Sequence, residues 1–274
     1  MRLAASAALC LLLTHAAAAG DLAEVKGRGK LIMLTYPVQG THFISVNLDV
    51  MREQGLKLVE LRKPEQFQGI DVELMSGFAR SLGVALEIHA VTGGYGALIP
   101  ALLAREGDLV ASEFTITPGR RAKADFSRPY VSNWVAVVVR RASSLGAAAD
   151  LGGKKGAVLA GSSHIEFLHA AAPSAAILPT GFDLESLDAV ESGKVDFALM
   201  DTGAAPGEQV DAIHPGLEVA FRLCEIGDGV AVRQGSDLLP ALDAYLAGVR
   251  KSGELQRILM RNGFKAQATG PSGN

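Results

Sequence analysis

The sequence predicts an α/β fold of mostly parallel sheets flanked by helices. Three observations carry that expectation. Between Lys30 and Ala111, short apolar runs alternate with stretches of helical period, in the order strand, helix, strand, helix, strand. Two apolar runs pass directly into polar turns that suit helix starts, Thr115-Ile116-Thr117-Pro118 and Gly161-Ser162-Ser163. A chain of 274 residues, 49% of them apolar, is long enough for one large domain or two small ones. The formal net charge of −3 shows no basic excess, so nucleic acid is not an expected partner.

In chain order, residues 1–19 read as a signal peptide. Arg2 gives the positive start, Leu3 to Leu13 the apolar core, and Ala17-Ala18-Ala19 the cleavage site. The apolar run is too short to span a bilayer, and no later stretch is long enough, so a periplasmic location is expected. Removing this segment leaves one cysteine, Cys224, which reads as a small buried hydrophobe. Lys30 to Thr35 is the first strand, ending in a loop that carries Tyr36. His42 to Val46 alternates like a short strand, and Leu48 to Phe67 is charged, without a clear period, and reads as an extended hairpin or surface excursion.

From Asp71 to Leu82 the apolar residues recur at helical spacing, with Asp71 and Glu73 in the first turn, where acids are favoured. Val84 to Val91 follows as a strand. Thr92 to Gly96 is a glycine-rich loop carrying Tyr95, without the spacing of a phosphate-binding loop, and Ala97 to Arg105 is the next helix. Val131 to Arg140 is a long apolar strand. Gly156 to Leu159 is a shorter one, followed by a helix that Ser163 and Glu166 start as a capping box. His164 and His169 lie on that helix at a spacing unsuited to a metal pair, and read as surface residues. Leu184 to Ser192 is a helix, Lys194 to Met200 a buried strand ended by Asp201, and two helices close the chain, running through Lys251 and Asn262.

The stretch Asp108 to Tyr130 concentrates the chemistry. Leu109-Val110-Ala111 ends a buried strand, Thr117 caps a helix that begins at Pro118, and Arg120 stands in its first turn. A helix start presents unpaired N–H groups and partial positive charge, which suits an anion. A cation is locally unfavourable there, and a bidentate carboxylate partner is one reason to place an arginine at that point. Thr115 adds a hydroxyl. The residues describe a small carboxylate pocket; an exposed arginine on a well-capped helix fits them equally.

Asp108, Thr115, Ile116, Thr117, Arg120, Asp125, Phe126, Ser127, Pro129 and Tyr130 together resemble the signature of the family 3 periplasmic solute-binding proteins. Gly69 to Leu74, the turn Gly161-Ser162-Ser163, and Gly229 to Arg233 match further motifs in the family's order, so the resemblance runs from about Arg28 to Phe264. It implies a two-lobed fold of type II with a hinge near Ser132. Lobe 1 would hold residues 20–131 plus 229–274, and lobe 2 residues 132–228. It further implies that Arg120, Thr115, Ser162 and Ser163 receive a ligand carboxylate, that Asp201 pairs with an α-ammonium, and that Tyr36 and Tyr95 cover the apolar part. The implied role is capture of an amino acid or similar zwitterion by a monomer that docks on a membrane ABC permease, with no cofactor and no metal.

Two departures from the family's pattern bear on function. The segment 38–68 is longer than the family's, which is compatible with a role in shaping the cleft or contacting a partner. Glu113 stands where the family carries a small residue. It could bind a cationic side chain, repel an anionic one, point away, or be neutralised by Arg121 or Lys123. It could also serve as the acid of an enzyme resembling the periplasmic cyclohexadienyl dehydratases. A binding module for a sensor or a periplasmic dehydrogenase system is the remaining alternative.

Overall fold

Two five-stranded sheets, each wrapped by helices, are joined by a pair of strands that cross side by side. The computed structural model describes residues 21–37, 41–202 and 210–264. The expected signal peptide, residues 1–19, lies outside the described residues.

The first sheet is centred on β1 (Lys30–Thr35), whose Leu31, Met33 and Leu34 are fully buried. It runs parallel to β4 (Ala85–Ala90) on one side and to β5 (Leu109–Val110) on the other. The return strand β12 (Ala231–Val232) and β6 (Asp125–Phe126) complete the sheet in antiparallel sense. Helix α3 (Ile70–Ser81) covers one face together with α9 (Leu238–Lys251) and α10 (Glu254–Arg261). Helix α4 (Leu98–Leu103) covers the other with Phe114 and Phe126. The helix α1 (Asp21–Arg28), which local sequence does not announce, is tied to the residue just after β12 by a 2.9 Å contact between Arg233 and Asp21.

The second sheet contains β7 (Val131–Arg140) and β10 (Phe197–Asp201), with β8 (Lys155–Leu159) and β9 (Ala176–Thr180) parallel to β10 and to each other in turn. The edge strand β11 (Leu217–Asp228) lies antiparallel to β7 over its whole length. Helices α6 (His164–Ala171), α7 (Asp183–Glu191) and the short α8 (Val210–Ile213) pack on this sheet. Each sheet therefore has a parallel core, as the strand–helix alternation predicts, and gains antiparallel pairs from the strands that travel between the lobes.

The crossing lies at Ser127–Val131 beside Gly227–Val230. Tyr130 N donates to the Asp228 carbonyl at 3.0 Å, and Ser127 N donates to the Val230 carbonyl at 2.9 Å. The segment Leu48 to Phe67 is not a hairpin. Two-residue strands β2 (Ser45–Val46) and β3 (Phe67–Gln68) pair at its base and frame helix α2 (Leu48–Gln54) and two single 3₁₀ turns. Asn47 caps α2 through its side chain, and Gly55 ends it in the left-handed region, so local capping makes a helix where no apolar period shows. Gly69 is needed at the start of α3: its φ is +125°, and an added Cβ would sit 2.3 Å from the Phe43 carbonyl oxygen.

Candidate functional site

Between the lobes lies a narrow cavity. Lobe 1 lines it with Thr41, Tyr95, Glu113, Thr115 and Arg120; the second sheet and its helices line it with Leu159, Ser162, Ser163, His164, Asp183 and Asp201. Seven of the eight residues singled out from sequence meet here. The eighth, Tyr36, stands behind, its ring edge-on to Tyr95 at 5.3 Å.

Arg120 is placed by the capped turn. Thr117 Oγ1 accepts from the Arg120 amide at 3.2 Å, and the guanidinium lies 3.9 Å over the centroid of buried Phe114, itself stacked on Phe126. Its Nη1 donates to the Thr115 carbonyl at 2.7 Å. It forms no ion pair with a carboxylate among the described residues. Burial lowers its pKa to about 10, so it stays charged at neutral pH.

Glu113 departs from ordinary backbone geometry. Its φ is +49°, in the left-handed region that glycine enters freely and other residues enter at a cost. Its amide donates to Asp71 Oδ2 at 2.8 Å, and Asp71 Oδ1 accepts from the Tyr130 hydroxyl at 2.5 Å, so a buried carboxylate holds the strained residue in place. The Glu113 side chain is 7% exposed, and its Oε1 has no hydrogen-bond partner. Arg121 and Lys123 are exposed and form no ion pair with it, so neutralisation within the protein does not occur among the described residues. Burial raises its pKa well above the carboxylate range, and Asp201, Asp228, Asp183 and Asp71 add to the rise.

Two groups of the cavity are ones that local sequence does not reveal. His164, expected at the surface, is 4% exposed, and its Nε2 lies 2.9 Å from Asp201 Oδ1. Burial alone would lower its pKa; the Asp201 carboxylate overrides that and raises it. Asp183 lies at the start of α7, its pKa raised by burial against the opposing pull of His164. Behind Thr115, with which it forms a β-bridge, Asp228 sits in the crossing at 1% exposure. No hydrogen bond of good geometry reaches either of its oxygens; the Thr115 hydroxyl is the donor near enough to oppose the rise of its pKa to about 8, which burial drives and Asp201 assists.

The turn 161–163 also differs from expectation. Ser163 does not cap α6 through its side chain, and Glu166 does not fold back to it. Instead Glu166 Oε1 accepts from the Gly119 amide of the other lobe at 3.2 Å. Gly161 and Gly96 meet across the cleft, where a Cβ on Gly161 would lie 2.9 Å from the Gly96 nitrogen. Ser162 Oγ is buried without a partner. The lobes are thus in contact around the cavity, with a cluster of carboxyl groups inside and the Arg120 guanidinium, which has no carboxylate partner among the described residues.

Outside the cleft, Asp188, Glu191 and His214 bring ligand atoms within 4.8 Å of one another. His214 Nδ1 is already engaged by Glu191 at 2.7 Å, and both acids are exposed, which describes a hydrogen bond tying a loop to α7. Cys224 is half-buried and its thiol is pushed up to about 11, first by burial and then by Asp201, which makes it a poor nucleophile. Among the described residues no helix is long and apolar enough to cross a membrane.

The model of the bacterial extracellular solute-binding proteins, family 3, matches residues 50–264. The L-cystine-binding protein TcyJ of Escherichia coli is 30% identical over 227 residues, covering 77% of this chain and 84% of TcyJ. Membrane-bound lytic murein transglycosylase F of Pseudomonas savastanoi is 31% identical over 233 residues, 77% of this chain, but the chain spans only 46% of its length. Among solved structures, an ancestral amino acid-binding protein, AncCDT-1, described as a precursor of cyclohexadienyl dehydratase, superposes with a TM-score of 0.73 at 27% identity, covering 90% of this chain and all of the other. The arginine-bound form of truncated ArgBP from T. maritima superposes with a TM-score of 0.65 at 26% identity, covering 82% of this chain and 99% of that one.

Proposed function

The chain belongs to the bacterial extracellular solute-binding proteins of family 3, and from that premise we propose that it captures an amino acid with a positively charged side chain, of the arginine or lysine class. The charge balance of the cavity carries this reading. Glu113, Asp183 and Asp201 line it, with Asp228 buried behind, against the Arg120 guanidinium, which has no carboxylate partner among the described residues, and one histidine already paired with Asp201. With a neutral-side-chain zwitterion these buried carboxyls are balanced only by keeping their protons; a second cationic group lets one of them ionise and pairs with it.

In this reading Arg120, Thr115, Ser162 and Ser163 take the α-carboxylate. The ammonium goes to Asp201, whose Oδ2 accepts no hydrogen bond among the described residues, and Glu113 with Asp183 faces the side-chain cation. Tyr95, backed by Tyr36, covers the aliphatic part. The structural likeness to the arginine-bound form of ArgBP supports this reading. Cystine, which the name of TcyJ gives, carries a second ammonium but also a second carboxylate and so fits the charge pattern less well. The monomer would work outside the cytoplasm and hand its ligand to a membrane ABC permease.

A thermal-shift screen of wild type and Glu113→Gly against arginine, lysine, cystine, glutamine and glutamate tests it. Stabilisation by arginine or lysine above glutamine in wild type is expected, with the preference narrowed or reversed in Glu113→Gly. The same preference order in both proteins would remove Glu113 from ligand selection.

A second reading rests on Glu113 alone. A buried carboxyl held protonated in a cleft can act as a general acid, and the likeness to a dehydratase precursor gives it context. Incubation with prephenate or arogenate decides: consumption by wild type but not by Glu113→Gln supports catalysis, and no consumption leaves capture.

A further inference from the structure

The proposed capture of a cationic solute leaves one group without a role, the carboxyl of Asp228. It is 1% exposed, lies in the strand crossing rather than on the cavity wall, and has no hydrogen-bond partner of good geometry for either oxygen. The Glu113 side chain on the cavity wall is likewise buried with an orphaned oxygen. No cation of the protein pairs with either group among the described residues.

The groups facing Glu113 are mostly acids. Asp71 comes from α3, Asp183 from α7, Asp201 from β10 and Asp228 from β11, with the hydroxyls of Tyr95 and Tyr130 beside them. The opposing charges are Arg120, on the turn after Thr117, and His164, on α6 and committed to Asp201. So many buried carboxyls cannot all ionise together without a cation among them.

Resting on the cationic-ligand reading, we propose that binding is coupled to a proton: Glu113 holds a proton in the empty cleft and surrenders it to solvent when the ligand's side-chain cation arrives, while Asp228 behind it keeps that proton in place until then. The exchange balances. One O–H bond of the Glu113 carboxyl breaks, the proton passes to buffer, and the carboxylate left behind pairs with the ligand's ammonium or guanidinium. Asp228 acts through Glu113 and does not touch the ligand, so it is a positioning residue. A ligand with a neutral side chain gives Glu113 no reason to ionise and should bind without proton release.

The test is calorimetric titration of the full chain with L-arginine at one pH in two buffers of different ionisation heat, phosphate and Tris. Release of about one proton per arginine is expected near neutral pH, with affinity rising up to about tenfold per pH unit as pH increases. Glutamine, where it binds, should give equal heats in both buffers. Glu113→Gln should still bind arginine more weakly, without release. Asp228→Asn should move the pH-dependent rise to lower pH, a shift that a merely structural role would not produce; if that variant does not fold, wild type and Glu113→Gln decide. Arginine heats independent of buffer, or release that persists in Glu113→Gln, would overturn the coupling and leave the cationic-ligand reading standing. Absence of binding by any cationic amino acid would overturn both.

Discussion

Replacing Arg120 by alanine removes the cleft cation that pairs with no carboxylate among the described residues. Loss of a charge-assisted pair from a closed site costs roughly 2–5 kcal/mol, so arginine affinity should fall at least thirtyfold while the unfolding midpoint changes little. Binding within a few-fold of wild type would place the ligand's carboxylate elsewhere. Asp201→Asn should weaken α-amino ligands more than analogues lacking the ammonium; equal losses would assign Asp201 to holding His164 alone. Proton linkage gives a third expectation. Glu113, Asp183, His164, Asp71 (to about 6) and Asp228 (to about 8) all have raised pKa values in the folded chain. The folded state therefore binds more protons than the unfolded one above the unfolded carboxylate range, and each unshared proton lowers stability by about 1.4 kcal/mol per pH unit. The ligand-free protein should lose stability steadily from about pH 5 to pH 8 in urea titrations; a midpoint that rises over that window would contradict these assignments. Most of these residues were legible in the sequence because local chemistry marks them: a capped turn beside Thr115 and Arg120, a strand ended by Asp201. His164, Asp183 and Asp228 were not, because what surrounds them comes from elsewhere in the chain, 37 residues away for His164 and Asp201.

At the level of elements, glycines at two positions fix the geometry that the cavity needs. Gly69 lets the carbonyls of His42 and Phe43 accept from the first amides of α3, at 3.0 and 2.9 Å, and so positions Asp71 beneath Glu113. Gly69→Ala should destabilise the fold by a few kcal/mol, roughly the sum of strained backbone and a displaced carbonyl, seen as a lower thermal midpoint. Gly161, at φ +72°, meets Gly96 across the cleft. Gly161→Ala should leave lobe 2 folded yet weaken ligand affinity, because the lobes could no longer approach as closely. Elements with strong apolar periods were read to within a residue or two, as for β1, β7 and α3. The long edge strand β11 was not read, since register shifts between Val219 and Phe221 and between Arg222 and Cys224 interrupt its alternation. Glu166 shows the same limit: a local capping rule competes with a contact to Gly119 on the other lobe, and the tertiary contact wins.

For the molecule as a whole, the two lobes supply opposite halves of one charge pattern. Lobe 1 brings Arg120 and Glu113, the second sheet brings His164, Asp183 and Asp201, and neither half alone encloses a ligand. On the proposed reading, hinge closure on a zwitterion with an extra positive group would join these halves and exclude water from the carboxyl cluster, where charge interactions are strongest. The order of strands and helices made that architecture legible, while the carboxyl excess emerged only when the lobes were brought together. The most direct measurement is calorimetric titration of the purified chain with L-arginine and, separately, with L-glutamine at neutral pH. One-to-one binding of arginine, tighter than glutamine by tenfold or more, is the expected result; glutamine binding as tightly as arginine, or more tightly, would contradict a cleft built for a positively charged side chain.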